Sequence, residues 1–239
     1  MPYERSRRYL NAFSEIEAAL RNLVQAPKGE RFYSLVRKCA RKNKIISRHA
    51  DDLREFADLR NAIVHERCNG EPIAEPHQNT VKQIEKIRDQ LIAPPTVEPL
   101  FFRKVVWCTP SDPMGKVSKI MFKNSFSQIP IYKKGQCCGL LTTETITRWL
   151  AHRLQLADTA ALENESVEVV ARYCEYKDNY VIASRKATLF EALDCFDGFA
   201  KRGRNLDALI ITASGESDEK PLGIITVFDL PEIYRVIGL

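Results

Sequence analysis

The chain has 239 residues, 44% apolar and 28% charged, and its 36 Lys and Arg exceed its 31 Asp and Glu to give a net charge of +5. That length accommodates one large domain or two to three small ones, and the apolar fraction suits packed cores rather than a disordered polymer. No window has the long uncharged apolar run of a membrane helix, and no apolar signal core follows Met1-Pro2-Tyr3-Glu4-Arg5, so a soluble cytoplasmic protein without membrane association is expected.

Residues 1–93 read as helices. Leu10, Phe13, Ile16, Leu20, Leu23 and Val24 recur at helical spacing and stop near Pro27-Lys28-Gly29. Phe32, Leu35, Val36 and Cys39 form a second stripe. Leu53, Phe56, Leu59, Ile63 and Val64 form a third, entered from Ser47 or Asp51 and ended by Asn69-Gly70 and Pro72. Val81, Ile84, Ile87 and Leu91 form a fourth, and four such helices with short connections predict an antiparallel bundle. The basic excess lies in this part. Residues 1–93 hold 18 Lys and Arg against 13 Asp and Glu, while residues 94–239 hold 18 of each. It peaks where Arg37, Lys38, Arg41, Lys42, Lys44 and Arg48 follow one another without an acid, a stretch that is either a solvated helix face or a surface for phosphate backbones.

Ala93-Pro94-Pro95-Thr96 marks a boundary, because proline lacks the backbone donor and disfavours helix before it. Beyond it short apolar runs alternate with helical patterns. Val105-Val106-Trp107 is a strand candidate and 114–123 a helix. Ile129-Pro130-Ile131-Tyr132 and 138–141 are strands around the turn Lys133-Lys134-Gly135, and 147–156 is helical. The order then recurs: strand Tyr180-Val181-Ile182, helix 189–199, strands Leu209-Ile210-Ile211 and 222–225 around the loop 214–219, helix 230–237. The seven cysteines include no Cys-x-x-Cys and no zinc-type spacing, so reduced thiols and no metal are expected, with Cys137-Cys138 read as core packing.

The recurrence is also literal. Gly139-Leu140-Leu141-Thr142 reappears as Gly223-Ile224-Ile225-Thr226, each time ending a strand and opening a helix. A strand that stops on Thr at a helix N-terminus makes a small polar shelf suited to ribose and phosphate. The strand, helix, Ile-Pro-Ile, turn, Gly-apolar-apolar-Thr, helix order resembles the CBS domain (cystathionine-β-synthase type), and two in tandem resemble a Bateman module over about residues 100–239. The resemblance implies an adenosine-containing ligand (AMP, ADP, ATP or S-adenosylmethionine) bound between the repeats. Thr226 and Asp229 match the family's Thr-x-x-Asp ribose pattern, where a carboxylate accepts both ribose hydroxyls. By the residues alone the plainer reading, an N-cap and a first-turn acid that complements the helix dipole, is the favoured one. In the first repeat Thr142 is present, but Thr145 stands where Asp is expected and Glu144 comes one position early, so one competent site is expected. Thr109 and Pro110 in one repeat, and Ala183 and Ser184 in the other, would face base and sugar by analogy. In the second repeat Ala208 is read as standing in place of Pro130.

In the bundle, Leu59-Arg60-Asn61-Ala62-Ile63-Val64-His65-Glu66 places Asn61 and His65 four apart on one helix face, with Arg60 at its edge. The Arg-Asn-x-x-x-His string resembles the signature of HEPN domains, helical bundles of which many are dimeric, metal-independent ribonucleases. On that resemblance His65 would exchange a proton with a ribose 2′-hydroxyl or leaving oxygen, Arg60 would hold the scissile phosphate, and Asn61 would orient either. The plain alternative pairs Arg60 with Glu55, Asp58 or Glu66.

The sequence thus predicts an α+β multidomain protein: a HEPN-like bundle over 1–93, a first CBS domain over 100–157 and a second over 166–239. It is expected to act as a homodimer whose adenine nucleotide controls RNA cleavage. Other readings are a non-catalytic sensor whose bundle dimerises or docks a partner, and an antitoxin-like companion of a nucleotidyl-transferase.

Overall fold

The structure, a computed structural model, describes residues 3–65, 67, 68, 71, 72, 74–156 and 161–238. Glu66, Asn69 and Gly70 lie outside the described residues. The chain divides into two compact units, Met1–Pro95 and Thr96–Leu239.

In the first unit the helices are α1 (Glu4–Val24), α2 (Phe32–Ala40), α3 (Lys44–Arg48), α4 (Ala50–His65) and α5 (Gln78–Ile92). The stripes read from the sequence are buried: Phe13, Ile16, Leu20, Leu35, Val36, Leu53, Phe56, Ile63, Val81, Ile84 and Ile87 share one core, and Leu23 is left exposed. Tyr9 is fully buried with its hydroxyl donating to the Phe56 carbonyl at 2.7 Å, which removes the cost of burying it. Arg8 on α1 forks onto Glu85 on α5, at 2.9 and 2.6 Å. Helix α1 stops before Pro27 because Gln25 turns left-handed and the Ala26 N–H donates back to the Arg21 carbonyl.

Two features depart from the sequence expectation of four helices. Helix α3 is additional: the Asn43 side chain accepts from the Ile46 N–H at 3.1 Å and so opens a separate short helix, whose adjacent buried Ile45 and Ile46 hide its period. After α4 the chain forms a two-residue antiparallel pair, β1 (Arg67–Cys68) with β2 (Glu71–Pro72), rather than simply ending a helix.

The second unit holds two repeats. The first contains α6 (Met114–Asn124), β3 (Gln128–Lys133), β4 (Gln136–Thr142) and α7 (Thr143–Gln155). A short 3-10 turn (Leu162–Asn164) and α8 (Val167–Ala171), neither of them expected, lead to β5 (Tyr180–Ser184), α9 (Leu189–Ala200), β6 (Ala208–Thr212), β7 (Gly223–Ile225), a 3-10 turn (Val227–Asp229) and α10 (Leu230–Ile237). Val117, Met121, Ile129, Leu141 and Trp149 fill the first core. Leu189, Leu193, Leu209, Ile211, Ile225 and Ile233 are buried in the second repeat.

Strand register aligns the repeats. Ile131 faces Gly139 as Ile211 faces Gly223, and Pro130 faces Leu140 as Ile210 faces Ile224. The position equivalent to Pro130 is therefore Ile210, not Ala208. The same register explains why Val105-Val106-Trp107 is not a strand. In the second repeat β5 pairs with β6 in parallel over five positions, Ala183 beside Ile211. In the first repeat only Cys108 bridges Ile131: the Cys108 N–H donates to the Pro130 carbonyl and the Tyr132 N–H to the Cys108 carbonyl. Continuing that ladder towards Val106 requires a donor at position 130, and proline has none. Cys137 and Cys138 also divide: alternation along β4 buries the first and exposes the second, so only Cys137 packs in a core.

The loop 214–219 is closed by Glu219, which accepts from the Ser214 N–H at 2.7 Å and the Ser214 hydroxyl at 2.9 Å. These donors, the Ser214 N–H foremost, with help from Thr212 and Glu216, hold its carboxyl down at about 2. A pKa lowered by folding contributes stability that is present above the ordinary carboxylate value and is lost as pH falls through the folded one. Wild type is therefore expected to lose this stabilisation between about pH 4.5 and 2, and Glu219→Gln to show a flatter stability profile over that window in urea titrations. Parallel profiles would show that the loop contacts do not bear on folding.

Candidate functional site

The site is built where β7 ends. Thr226 is extended and caps the following turn, with its hydroxyl accepting from the Phe228 N–H at 3.3 Å. Asp229, three positions on, answers with a capping box: Oδ2 accepts from the Thr226 N–H at 2.8 Å and the Thr226 hydroxyl at 3.1 Å. The sequence-read pair is thus in direct contact. A third donor comes from the segment ahead of the first repeat, which runs beside β7. Arg103 Nη2 lies 2.9 Å from Asp229 Oδ2, and the same guanidinium donates to the Ile224 carbonyl from Nε at 3.1 Å and from Nη2.

These groups line an open cleft of about 730 Å³. One wall carries Ile224, Thr226, Phe228 and Asp229 from the second repeat. The other carries Arg103–Val106 positions and Ser125, Ser127 and Gln128 from the first. The Asp229 side chain is mostly covered, at 17% exposure, and Arg103 is about half exposed at 46%. Phe228 stands out into solvent at 80% exposure. The cleft therefore offers a fixed carboxylate, a guanidinium with freedom to move and an apolar side wall of Val105, Val106 and Ile224.

Thr142 lies in a second cleft, of about 710 Å³, built the opposite way round: Thr142, Glu144, Thr145 and Arg148 from the first repeat face Tyr176, Asn179, Arg204 and Asp207 from the second. Thr142 caps α7 by accepting from the Thr145 N–H at 3.1 Å, and the two buried hydroxyls lie 3.0 Å apart. Glu144 turns to Arg148 instead, at 3.1 Å. Asp207 shares this cleft with Glu144 and Glu175, and burial holds its carboxyl above its ordinary pKa, partly offset by the Asn179 amide at 2.8 Å.

The remaining residues read by analogy are not gathered beside Asp229. Thr109 and Asp112 form a turn ahead of α6, the Thr109 N–H donating at 2.7 Å to an Asp112 carboxyl that Lys116 also holds. Pro110 lines a third cleft with Lys133, Cys138, Leu140 and Arg172. Ala183 and Ser184 end β5, where the Ser184 hydroxyl reaches the Ala213 carbonyl and accepts from the Lys186 N–H.

In the helical unit, Arg60, Asn61 and His65 do meet, at the exposed end of α4. Arg60 Nη1 is 3.2 Å from Asn61 Oδ1 and 3.0 Å from His65 Nε2. A guanidinium only donates, so Nε2 is the acceptor in this contact. Asp58, one of the alternative partners considered for Arg60, is held by the Tyr33 hydroxyl. Among the described residues no group of three His, Cys, Asp or Glu side chains could hold a metal ion, and no helix is long and apolar enough to cross a membrane.

Twin clefts, each made from the Thr-capped helix start of one repeat and from an extended segment and the helix–strand loop of the other part of the unit, define a paired β-α domain. Residues 97–152 match the family model of the CBS domain. A curated relative that matches is the uncharacterized protein MJ1225 of Methanocaldococcus jannaschii, 19% identical over 165 residues. That alignment takes in 63% of this chain and 58% of MJ1225, so the chain spans less than two thirds of its relative's length. The solved structure of MJ1225 is similar with a TM-score of 0.46 and 17% identity, over 74% of this chain and 63% of that one. The CBS domain pair of MJ0100 in complex with 5′-methylthioadenosine and S-adenosyl-L-methionine is similar with a TM-score of 0.44 and 13% identity, over 60% of this chain and 98% of that one. CBSX2 in complex with AMP is similar with a TM-score of 0.44 and 12% identity, over 61% and 99%.

Arg103 is the cleft residue that sequence reading missed. It lies 126 positions from Asp229, and its only local signal is a cation just ahead of an apolar run.

Proposed function

We propose that the second unit is a CBS pair that binds an adenine nucleotide (AMP, ADP or ATP) in the cleft of Thr226 and Asp229. The observation that carries this reading is the carboxylate itself: mostly covered, fixed by the Thr226 cap and set into a cleft walled by both repeats. A carboxylate held in one orientation by its backbone cap accepts two ribose hydroxyls, and charge-assisted bonds of this kind contribute roughly 1.5–3 kcal/mol each. The apolar wall receives the base. Thr142 and Thr145 spend their hydroxyls on each other, which favours one strong site over two. Calorimetric titration with adenosine, AMP, ADP, ATP and S-adenosylmethionine tests the reading. Asp229→Ala is expected to weaken the bound compound by about 10- to 100-fold. Unchanged binding by that variant removes Asp229 from the site.

On the same reading the helical unit is the responder: a HEPN-like bundle, working as a homodimer in the cytoplasm, in which Arg60, Asn61 and His65 cut RNA without a metal. The products are a 2′,3′-cyclic phosphate and a 5′-hydroxyl. Ligand at Asp229 then controls the rate by altering how two copies meet, which requires different affinities for two states. A second reading, a non-catalytic sensor with a partner-binding bundle, is favoured by one contact. His65 Nε2, one of the two ring nitrogens available for a 2′-hydroxyl proton, already accepts from Arg60.

A further inference from the structure

The donors on Asp229 bear on which adenine compound the cleft selects, an inference that rests on the nucleotide reading above. Among the described residues the donors shown on this carboxylate all converge on Oδ2: the Thr226 N–H, the Thr226 hydroxyl and Arg103 Nη2. A sugar diol gripped by both oxygens must share or displace one of them. The backbone N–H is fixed by the turn, and the Thr226 hydroxyl also caps Phe228. Arg103 is the donor with freedom to leave, being about half exposed at 46% on a long side chain. It would not leave the cleft, because Nε is separately tied to the Ile224 carbonyl at 3.1 Å and its backbone N–H to the Leu222 carbonyl at 3.2 Å. A guanidinium released from a carboxylate, yet still held beside it, is a two-pronged receptor for the next anion along the ligand.

We infer that Arg103 is the phosphate-recognising residue of this cleft, and that its exchange from Asp229 to a phosphate makes the cleft select phosphorylated nucleosides over bare ones. A bare nucleoside displaces Arg103 and returns nothing to it. A nucleotide replaces one charge pair with another. Lys104 also lines the cleft and is the competing cation.

The test is calorimetry on the full chain with adenosine and AMP, comparing wild type, Arg103→Met, Arg103→Lys and Lys104→Met. Wild type is expected to bind AMP about 10- to 100-fold more tightly than adenosine. Arg103→Met brings the two affinities together, Arg103→Lys keeps a reduced preference, and Lys104→Met keeps the full one. Should the Met variant not fold by circular dichroism, the Lys variant decides, since an undiminished AMP preference there overturns the inference. Equal affinities in wild type, a preference that survives Arg103→Met, or one that disappears in Lys104→Met also overturn it, while leaving nucleotide binding intact. No heat with any adenine compound in wild type brings down the nucleotide reading and this inference together.

Discussion

Gly223→Ala is expected to destabilise the second unit by about 3 kcal/mol, at the upper end for an overpacked site, and to weaken any ligand held by Arg103. A Cβ at Gly223 would stand 2.2 Å from the Phe101 carbonyl oxygen and 3.1 Å from both the Phe101 carbonyl carbon and Ile211 Cδ1. Two of those atoms are backbone and cannot turn aside as a rotamer can. The strand that must yield is the one that carries the site: Phe102 bridges Gly223, and the Arg103 N–H donates to Leu222. Gly139, the equivalent residue of the first repeat, meets only the Ile131 side chain, at 3.3 Å from Cδ1. The same substitution there should cost about 1 kcal/mol or less. Urea unfolding of the two variants checks the contrast. Equal losses at both positions would mean that Phe101 moves freely and that the bridge to Gly223 does not position Arg103.

His65→Ala and Arg60→Ala are each expected to lower cleavage of single-stranded RNA by about 100-fold or more if the bundle is catalytic, the usual range for removing a proton-transfer group or its partner. Arg60→Lys should rescue little, since an ammonium cannot hold a phosphate with two parallel bonds. The assay is run on several RNAs, with products analysed for cyclic phosphate, and with and without saturating adenine nucleotide. Wild-type activity no higher than that of the variants selects the partner-binding reading of the bundle. Cleavage that ignores the nucleotide removes the coupling between the units and leaves both modules standing.

Some of this was legible in local pattern because period reports burial. Ile16, Leu35, Leu53 and Ile84 recur at helical spacing and are all buried. The start of helix 230–237 is legible because Thr226 and Asp229 form a capping box on the turn that leads into it. Other features failed for identifiable reasons. Val105-Val106-Trp107 has strand composition, yet its pairing depended on a donor that Pro130, on another strand, lacks. Helix α3 follows from an Asn43 cap too short-ranged to show in a stripe. The residues placed by analogy near base and sugar, Thr109 and Ser184, have turn and strand-end partners that no spacing rule announces.

The sequence alone determined the buried stripes and the Thr226–Asp229 and Arg60–Asn61–His65 neighbourhoods, which are encoded within a helical turn or a strand, and it displays the proline boundary and the recurring Gly-apolar-apolar-Thr by composition and repetition. Tertiary structure decided what meets over long stretches of chain: Arg103 on Asp229, Phe101 against Gly223, and the allotment of Thr142 to a different cleft. Those contacts join residues more than a hundred positions apart or assign similar motifs to unlike surroundings, and packing sets them rather than local backbone preference.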